Sequence, residues 1–179
     1  GTSAKMLSIV PLMNGGKLFE TGAGGSAPKH VQQLIDENHL RWDSLGEFLA
    51  ISVALENIGS TNLKCKTLSK CLSKAIEKLL LKEKSPSRKV GEIDNRGSHF
   101  YLALYWAEYL SKQVDNIALK DEFDKVYSKL LNKESQIINE IDAAQGVKVN
   151  LGGYYNTNDI ITEQIMRPSK SFNEIIDNI

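Results

Sequence analysis

The sequence predicts a predominantly α-helical chain with a few short strands near its N-terminus. After residue 28, apolar residues recur at the three- and four-residue spacing of amphipathic helices. The first 27 residues instead combine short apolar runs with glycine turns. A length of 179 residues, with 41% hydrophobic and 25% charged residues, suits one ordinary folded unit. We therefore expect strands and a glycine-rich loop in residues 1–27 and a helical part in residues 28–179.

The N-terminal region is expected to contain two extended segments, Ser8–Met13 and Lys17–Thr21, separated by the turn Asn14–Gly16. Five of the 13 glycines fall within residues 15–25, a density that indicates positive φ angles or a close approach to another group. The chain starts at Gly1 without an initiator methionine and soon enters the apolar run Met6–Met13. This start predicts a piece of a larger protein, with the mature end of a processed chain as the alternative.

Two helices are expected next. The first runs from Pro28 to Glu37, with Ser26 as its N-cap. The second starts at Ser44 and Glu47, which match the S-x-x-E capping box, and it closes at Gly59. The residues expected to face inward are Val31, Leu34 and Ile35 from the first helix and Leu45, Phe48, Leu49, Ser52 and Leu55 from the second.

A third helix carries an apolar stripe and stops at Ser85–Pro86; the stripe consists of Leu68, Leu72, Ala75, Ile76 and Leu79. Cys65 and Cys71 do not form a CxxC motif, and two cysteines do not make a disulfide framework. They are interpreted as reduced thiols on a helix of a cytosolic protein.

The C-terminal half is expected to be helical with one loop. A buried helix covers Phe100–Leu110, and a long amphipathic stretch runs from Leu119 to about Ala144, with a weak point near Asn132. Gly152–Tyr155 is a loop, and Ile160–Ile165 forms the last short helix. No internal repeat or low-complexity linker divides the chain.

The charge balance and hydropathy exclude two classes of function. With 22 basic and 22 acidic residues, the chain lacks the basic surplus of a general nucleic-acid binder. No apolar run reaches the ~18 residues of a membrane span. Locally, however, residues 63–89 hold nine basic residues against two acidic ones. One interpretation is that these basic residues form a solvated helix face. The other is that the end of this segment, Ser85–Lys89, presents cations to an anion.

The glycine loop joined to a helix start, Thr21–His30, is a candidate anion site because free N–H groups and the helix dipole attract negative charge. It is neither a G-x-G-x-x-G fingerprint nor a Walker A loop, and a packing turn remains the alternative. Lys29, His30 and Arg41 supply cations or donors near it.

The remaining polar residues give no reaction centre. His39 is interpreted as a surface or helix-end histidine, and His99 as either a site residue or a cap. Arg96 is expected to form a structural salt bridge with Glu92 or Asp94. No serine triad, H-E-x-x-H motif or clustered Cys/His set is present.

Several sequence strings resemble a known enzyme family. Gly25–Lys29 resembles the G-[ST]-A-P-[KD] cofactor loop of the β-decarboxylating dehydrogenases. Longer strings resemble the monomeric-type NADP-dependent isocitrate dehydrogenases, of which the chain looks like the C-terminal part: Ser8–Met13, Phe19–Gln33, His39–Phe48, Lys84–Tyr101 and Gly152–Tyr155.

The resemblance implies an α/β, isocitrate/isopropylmalate dehydrogenase-like fold. It also implies a cytoplasmic, monomeric enzyme that converts isocitrate to 2-oxoglutarate and CO₂ in the tricarboxylic acid cycle, with NADP and Mg²⁺ or Mn²⁺ as cofactors. The residues for isocitrate, metal and proton transfer would lie upstream of Gly1. The small domain of that family joins N- and C-terminal segments, so this part is expected to need the N-terminal ones.

For this chain the resemblance implies a coenzyme-binding role. His30, Arg41 and Arg88 would bind the 2′-phosphate that distinguishes NADP from NAD, with Lys29 as a helper and Arg96 as a lesser candidate than Arg88. Ser26 and neighbouring amides would approach the coenzyme, and Asp43 would lie near its adenosine end. The implied cofactor-binding set is Gly25, Ser26, Lys29, His30, Val31, Arg41, Asp43 and Arg88.

The sequence leaves two other functions open. In the first alternative, the chain would be a free-standing helical module that binds an anion or a partner without catalysis. In the second, it would belong to a sister dehydrogenase that uses NAD and another 2-hydroxy acid.

Overall fold

The computed structural model describes residues 27–153 and 156–179 of the chain, and these residues form eight α-helices. The helices are α1 (Ala27–Glu37), α2 (Leu45–Gly59), α3 (Leu63–Leu81), α4 (Asn95–Lys112), α5 (Ile117–Asn132), α6 (Glu134–Ala143), α7 (Asp159–Met166) and α8 (Lys170–Ile176). The helical character predicted for residues 28–179 is therefore confirmed where it is described. The predicted strands, the glycine loop, the Ser26 cap and Tyr154–Tyr155 lie outside the described residues.

Helices α2 and α3 form a close pair joined by a three-residue connection, because small residues line their contact. Ser69 Oγ donates a hydrogen bond to the Ser52 carbonyl at 2.9 Å, and the Ser52 and Ser73 hydroxyls lie 2.8 Å apart. Gly59 ends α2 against the next helix, where a Cβ would lie 2.8 Å from the Lys66 backbone. At the start of α3, the Asn62 side chain accepts from the Cys65 amide. Both cysteines lie on α3 as free thiols, as predicted.

Helix α4 is the centre of the molecule. It begins at Asp94, whose side chain accepts hydrogen bonds from the amides of Arg96 and Gly97. From Phe100 to Leu110 it is covered on most sides, which confirms the buried helix predicted there. The main core surrounds this helix and draws on α2, α3, α5, α6 and α8, with Phe48, Leu72, Leu79, Phe100, Leu104, Leu130, Ile137 and Ile141 among its buried members.

A second, smaller apolar cluster underlies α1. We call it the α1 cluster; it consists of Val31, Leu34, Leu40, Leu151 and Met166. It joins α1 to the chain that follows it, to the loop before α7 and to the end of α7. The inward face predicted for α1 is confirmed for Val31 and Leu34, while Ile35 packs against the cluster with partial exposure.

Several local predictions are wrong. The Ser44 side chain makes no cap hydrogen bond, so the predicted capping box does not form, and Glu47 is buried instead. The reason is a tertiary contact, because the Ser44 hydroxyl accepts a hydrogen bond from the side-chain Nδ2 of Asn95 in α4 at 2.9 Å. Leu49 is 49% exposed rather than inward, because α4 covers the neighbouring face of α2, where Phe48 contacts His99.

One helix end differs from the sequence prediction, one predicted weak point is confirmed as a division between two helices, and one helix was not predicted. Helix α3 stops at Leu81, four residues before Ser85. The long stretch from Leu119 divides at Lys133 into α5 and α6, one residue after the weak point predicted at Asn132. The helix α8 was not predicted, although Ser169 caps it by accepting from the Phe172 amide.

Candidate anion-binding site

The first turn of α1 presents Lys29 and His30 at the positive end of the helix dipole. No acidic residue lies in this turn, so nothing on the helix neutralises the positive end of its dipole. Lys29 is exposed and His30 is partly buried. Gly25 and Ser26, the backbone part of the predicted site, lie outside the described residues. The described half of the site is therefore cationic and rests on α1.

The chain returns past His30 immediately after α1. Asn38 has a left-handed backbone, with φ of 45°, and Leu40 is buried in the α1 cluster. These two residues direct Arg41 and Trp42 back along the helix. The Trp42 ring meets the His30 ring edge to face, with centroids 5.4 Å apart. Arg41 thus shares the site with His30, although eleven residues separate them in sequence.

The loop between α3 and α4 brings a third cation. Arg88 is exposed at its surface, and its carbonyl accepts a hydrogen bond from Gln33 Nε2 of α1 at 3.0 Å. The loop is also closed internally, because the Ser87 amide donates to the Ile93 carbonyl at 2.7 Å. Arg88 is therefore held against α1 by backbone contacts, with its side chain left in solvent.

The pKa of His30 is affected by both arginines. Burial lowers the pKa of His30, and the positive charges of Arg41 and Arg88 lower it further. Among the described residues, Lys29, Arg41 and Arg88 form no salt bridge. His30 Nδ1 and Arg41 Nε are buried without a hydrogen-bond partner there. Buried polar atoms are normally hydrogen-bonded, and positive side chains surround these two, so this cluster has the chemistry of an anion site.

The other predicted site residues lie differently. Val31 is 7% exposed in the α1 cluster, so its side chain belongs to the core. Asp43 is exposed, and its Oδ1 accepts from the Leu45 amide at 3.0 Å, which makes it the local start signal of α2. It remains close to Arg41 in sequence, on the solvent side.

Arg96 and His99 do not join the cation cluster. Arg96 is 1% exposed and forms the predicted bridge to Asp94, with Nη2 2.7 Å from Oδ2. Glu92 pairs with Lys89 instead. His99 donates from Nδ1 to the Asn95 carbonyl at 2.8 Å and packs against Phe48. Burial is the main reason that the pKa of His99 falls to about 4, so the ring is neutral at pH 7.

His39 was interpreted as a surface or helix-end histidine; it follows the end of α1, but the surface alternative is wrong. His39 is completely buried, with Nδ1 2.7 Å from Gln145 Oε1 and Nε2 2.8 Å from the Ser87 carbonyl. Its partners lie 106 and 48 residues away, so no local pattern could identify them. Sequence reasoning also missed three residues that support the site, Trp42, Gln33 and Gln145. Only Trp42 could have been suspected, because it adjoins Arg41 in the sequence.

The described residues offer neither a metal cluster nor a membrane span. In residues 27–153 and 156–179, no group of three or more His, Cys, Asp and Glu side chains is arranged to hold a metal ion. Within the same ranges, no helix combines the length and apolar character needed to cross a membrane.

Comparisons with known proteins agree on one family. The family model described as monomeric isocitrate dehydrogenase matches residues 1–177. The chain is 59% identical to isocitrate dehydrogenase (NADP) 2 of Psychrobacter sp. (strain 13A), over 98% of its own length and 24% of the relative. It is 59% identical to the NADP isocitrate dehydrogenase of Corynebacterium efficiens and 57% identical to that of Azotobacter vinelandii, covering 100% and 97% of this chain. The chain spans about a quarter of the length of these relatives.

Proposed function

Because the chain belongs to the monomeric isocitrate dehydrogenase family, we propose that it is the NADP-binding part of an enzyme that oxidatively decarboxylates isocitrate to 2-oxoglutarate. The observation that carries the proposal is the cluster of three cations without carboxylate partners among the described residues, Lys29, Arg41 and Arg88, around the half-buried His30. A phosphate monoester carries close to two negative charges at neutral pH and accepts hydrogen bonds on three oxygens. It therefore satisfies both the charge and the unpaired donors of this cluster.

The side chains of the cluster differ in what they give to the phosphate. Arg41 and Arg88 bind the 2′-phosphate of the coenzyme, because a guanidinium suits bidentate contact with phosphate oxygens. His30 supplies a further donor at the helix start, held in place by the Trp42 ring. Lys29 adds long-range attraction from the helix surface.

The remaining members act through backbone or position. The amides of Gly25 and Ser26 approach the coenzyme, Val31 supports the first turn of α1 from the α1 cluster, and Asp43 lies at the adenosine end. Bound NADP supplies the acceptor for the hydride removed from the substrate. What this chain contributes is binding and orientation of that coenzyme, with the 2′-phosphate as the point of discrimination from NAD.

The rest of the reaction is assigned to the remaining length of the enzyme. Among the described residues, no group of three or more His, Cys, Asp and Glu side chains is arranged to hold Mg²⁺ or Mn²⁺. We propose that the metal and isocitrate ligands and the proton-transfer groups belong to the remaining three-quarters of the enzyme. The enzyme would be monomeric and cytoplasmic, with residues 1–27 at its domain junction and residues 28–179 in its small domain.

The test is to replace the cations one at a time in the full-length enzyme that carries this chain. Arg41→Ala and Arg88→Ala are each expected to raise the KM for NADP about tenfold or more, because each removes a charge-assisted contact of ~1.5–3 kcal/mol. The KM for isocitrate should stay within about twofold. Steady-state kinetics with each substrate varied in turn measures both effects.

Lys89→Ala is the matched control, since Lys89 adjoins Arg88 but pairs with Glu92. It is expected to leave the KM for NADP nearly unchanged. An unaltered KM for NADP in both arginine variants would contradict the phosphate site. A better kcat/KM with NAD than with NADP in the unmodified enzyme would favour the sister dehydrogenase.

An activity assay of the 179-residue chain alone distinguishes the enzyme hypothesis from the helical-module hypothesis. We expect it to produce no NADPH from isocitrate, because the reaction centre is proposed to lie elsewhere. Turnover by the chain alone would contradict that placement, and a cellular form that consists of this chain alone would favour the module.

A further inference from the structure

His39 is a buried polar residue that the proposed coenzyme contacts do not use. It follows α1 directly and is completely buried, while both ring nitrogens lie within hydrogen-bond distance of an oxygen. The Nε2 partner is the Ser87 carbonyl, which can only accept, so Nε2 donates.

The second partner is fixed in orientation by its own neighbours. Gln145 Oε1 accepts from the Gly91 amide at 2.9 Å, and Gln145 Nε2 donates to the Glu92 carbonyl at 3.1 Å. The amide oxygen therefore faces His39, so Nδ1 must donate as well.

These contacts converge on one loop. His39 holds Ser87 at one end of the segment, and Gln145 holds Gly91 and Glu92 at the other. Gly91 has φ of +83°, the left-handed conformation that this turn requires. Arg88 lies between the two anchors, with its own carbonyl bound by Gln33.

The placement of the Arg88 side chain depends on these anchors because it has no ion-pair partner among the described residues. Arg41, in contrast, extends from a segment fixed by the buried Leu40. The loop over residues 82–94 is held at its ends by Ile93 on the main core and Lys84 over the Tyr101 ring, and around Arg88 by the polar contacts of His39, Gln145 and Gln33. A change in those groups would displace the guanidinium of Arg88 without touching it.

We propose that His39 and Gln145 form a buried brace that positions Arg88 for the 2′-phosphate of NADP. Both are positioning residues that set coenzyme preference through Arg88, and the proposal rests on the proposed function of that arginine. The brace acts on the phosphate-bearing coenzyme only, since NAD offers nothing for Arg88 to bind.

The experiment is a double-mutant cycle in the full-length enzyme, with His39→Phe, Arg88→Ala and the double variant. His39→Phe retains a ring of similar size and removes both donors. We expect it to raise the KM for NADP about fivefold while kcat and the kcat/KM for NAD stay within about twofold. Combined with Arg88→Ala, it should add little, because coupled residues are non-additive.

Two further variants complete the design. His39→Gln, which retains an amide donor, should recover part of the NADP affinity. Gln145→Met keeps the chain length of Gln145, removes its acceptor and should reproduce the effect of His39→Phe if that variant does not fold. Lys89→Ala, which lies on the same loop outside the brace, should leave both coenzymes unaffected.

The outcomes separate this inference from the proposed function. Multiplicative losses in the double variant, or equal losses for NAD and NADP, would overturn the brace while leaving the phosphate site intact. An unchanged KM for NADP in Arg88→Ala alone would remove the role of Arg88 in the proposed function, and with it the brace. A loss that is confined to NADP in His39→Phe, and that adds nothing further to Arg88→Ala in the double variant, supports the brace.

Discussion

At the scale of single residues, the difference between Arg96 and Arg41 is one of charge compensation. Arg96 binds Asp94 through Nε at 2.8 Å, and its remaining donors reach Asn38 and the Ile165 carbonyl at 2.7–3.0 Å. Such a buried ion pair is tolerated because every donor is satisfied. Arg41 has a buried Nε without a partner among the described residues. The same side chain is therefore structural at one position and available for a ligand at the other.

His30 leads to a prediction on pH at the same scale. Burial and then the charges of Arg41 and Arg88 lower the pKa of its imidazole, so the ring is neutral at pH 7 when no anion is bound. A bound dianionic phosphate reverses the local potential and raises that pKa, so binding takes up a proton. Between pH 8 and 6.5, NADP affinity is expected to increase as the pH falls, by about several-fold.

Calorimetric titration of the full-length enzyme in buffers of different ionisation enthalpy measures this proton uptake. His30→Gln is the control, because it keeps a donor but cannot titrate, and NAD should show no such slope. The phosphate itself titrates near pH 6, which is why the comparison stays above that value. An identical slope in His30→Gln would assign the proton to another group.

At the scale of elements, the start of helix α8 is capped by one carboxylate of another helix. Glu140 of α6 accepts from the Ser169 hydroxyl at 2.7 Å and from the Ser171 amide and hydroxyl at 3.1 and 2.8 Å. Burial raises the pKa of Glu140, but these bonds and one from Gln136 outweigh it and lower the pKa to about 2. The helix thus depends on a charge supplied by another element.

Glu140→Ala is expected to destabilise α8 by on the order of 1 kcal/mol, the usual value of a helix cap that is open to solvent. Since the pKa of Glu140 is depressed on folding, its contribution is present above about pH 4.5 and is lost as the pH falls towards 2. Hydrogen exchange of the α8 amides measures both effects. Glu174→Ala is the control, because its pair with Lys133 is exposed; equal exchange rates in the two variants would exclude the cap.

At the scale of the whole molecule, the two apolar clusters have different relations to the candidate site. The α1 cluster lies beneath His30 and Arg41, whereas the main core surrounds α4. Leu34 and Leu130 are matched representatives, because both are leucines on helices and almost completely buried. Replacing each leucine by alanine therefore removes the same side-chain volume at two different distances from the candidate site.

Leu34→Ala and Leu130→Ala are each expected to lower the free energy of unfolding by about 2–5 kcal/mol through the cavity they leave. Only Leu34→Ala should also weaken NADP binding, since it lets α1 shift relative to Arg41. Urea unfolding and NADP titration of the full-length enzyme measure the pair. Equal losses of coenzyme affinity in both variants would mean that the clusters are not separable.

Much of the helical layout could be predicted from local pattern. The 3.6-residue spacing indicated α1 and the stripe of α3, and the run around Phe100 indicated the buried α4, because these signals depend on neighbours within a few residues. The Ser44–Glu47 capping box failed because Asn95 of another helix takes the Ser44 hydroxyl. The prediction that Leu49 faces inward was wrong because the spacing of apolar residues indicates which face of a helix is buried but not how wide that face is.

The candidate site divides in the same way. The resemblance supplied His30, Arg41 and Arg88, and the chemistry of arginine suits the latter two to a phosphate. It could not supply His39 or Gln145, whose hydrogen bonds join residues 106 positions apart. A histidine beside a leucine has no local feature that distinguishes a surface position from a buried brace.

The sequence by itself determined most of the helical segments, although not α8, as well as the zero net charge and the residue types that follow the glycine loop. Only the tertiary structure decided which cations are neutralised. Lys78 and Arg96 pair with carboxylates on or beside α4, while Arg41 and Arg88, whose charges both lower the pKa of His30, pair with none among the described residues. The physical reason is that charge compensation acts across a few ångströms of space, between residues that folding brings together from distant parts of the chain.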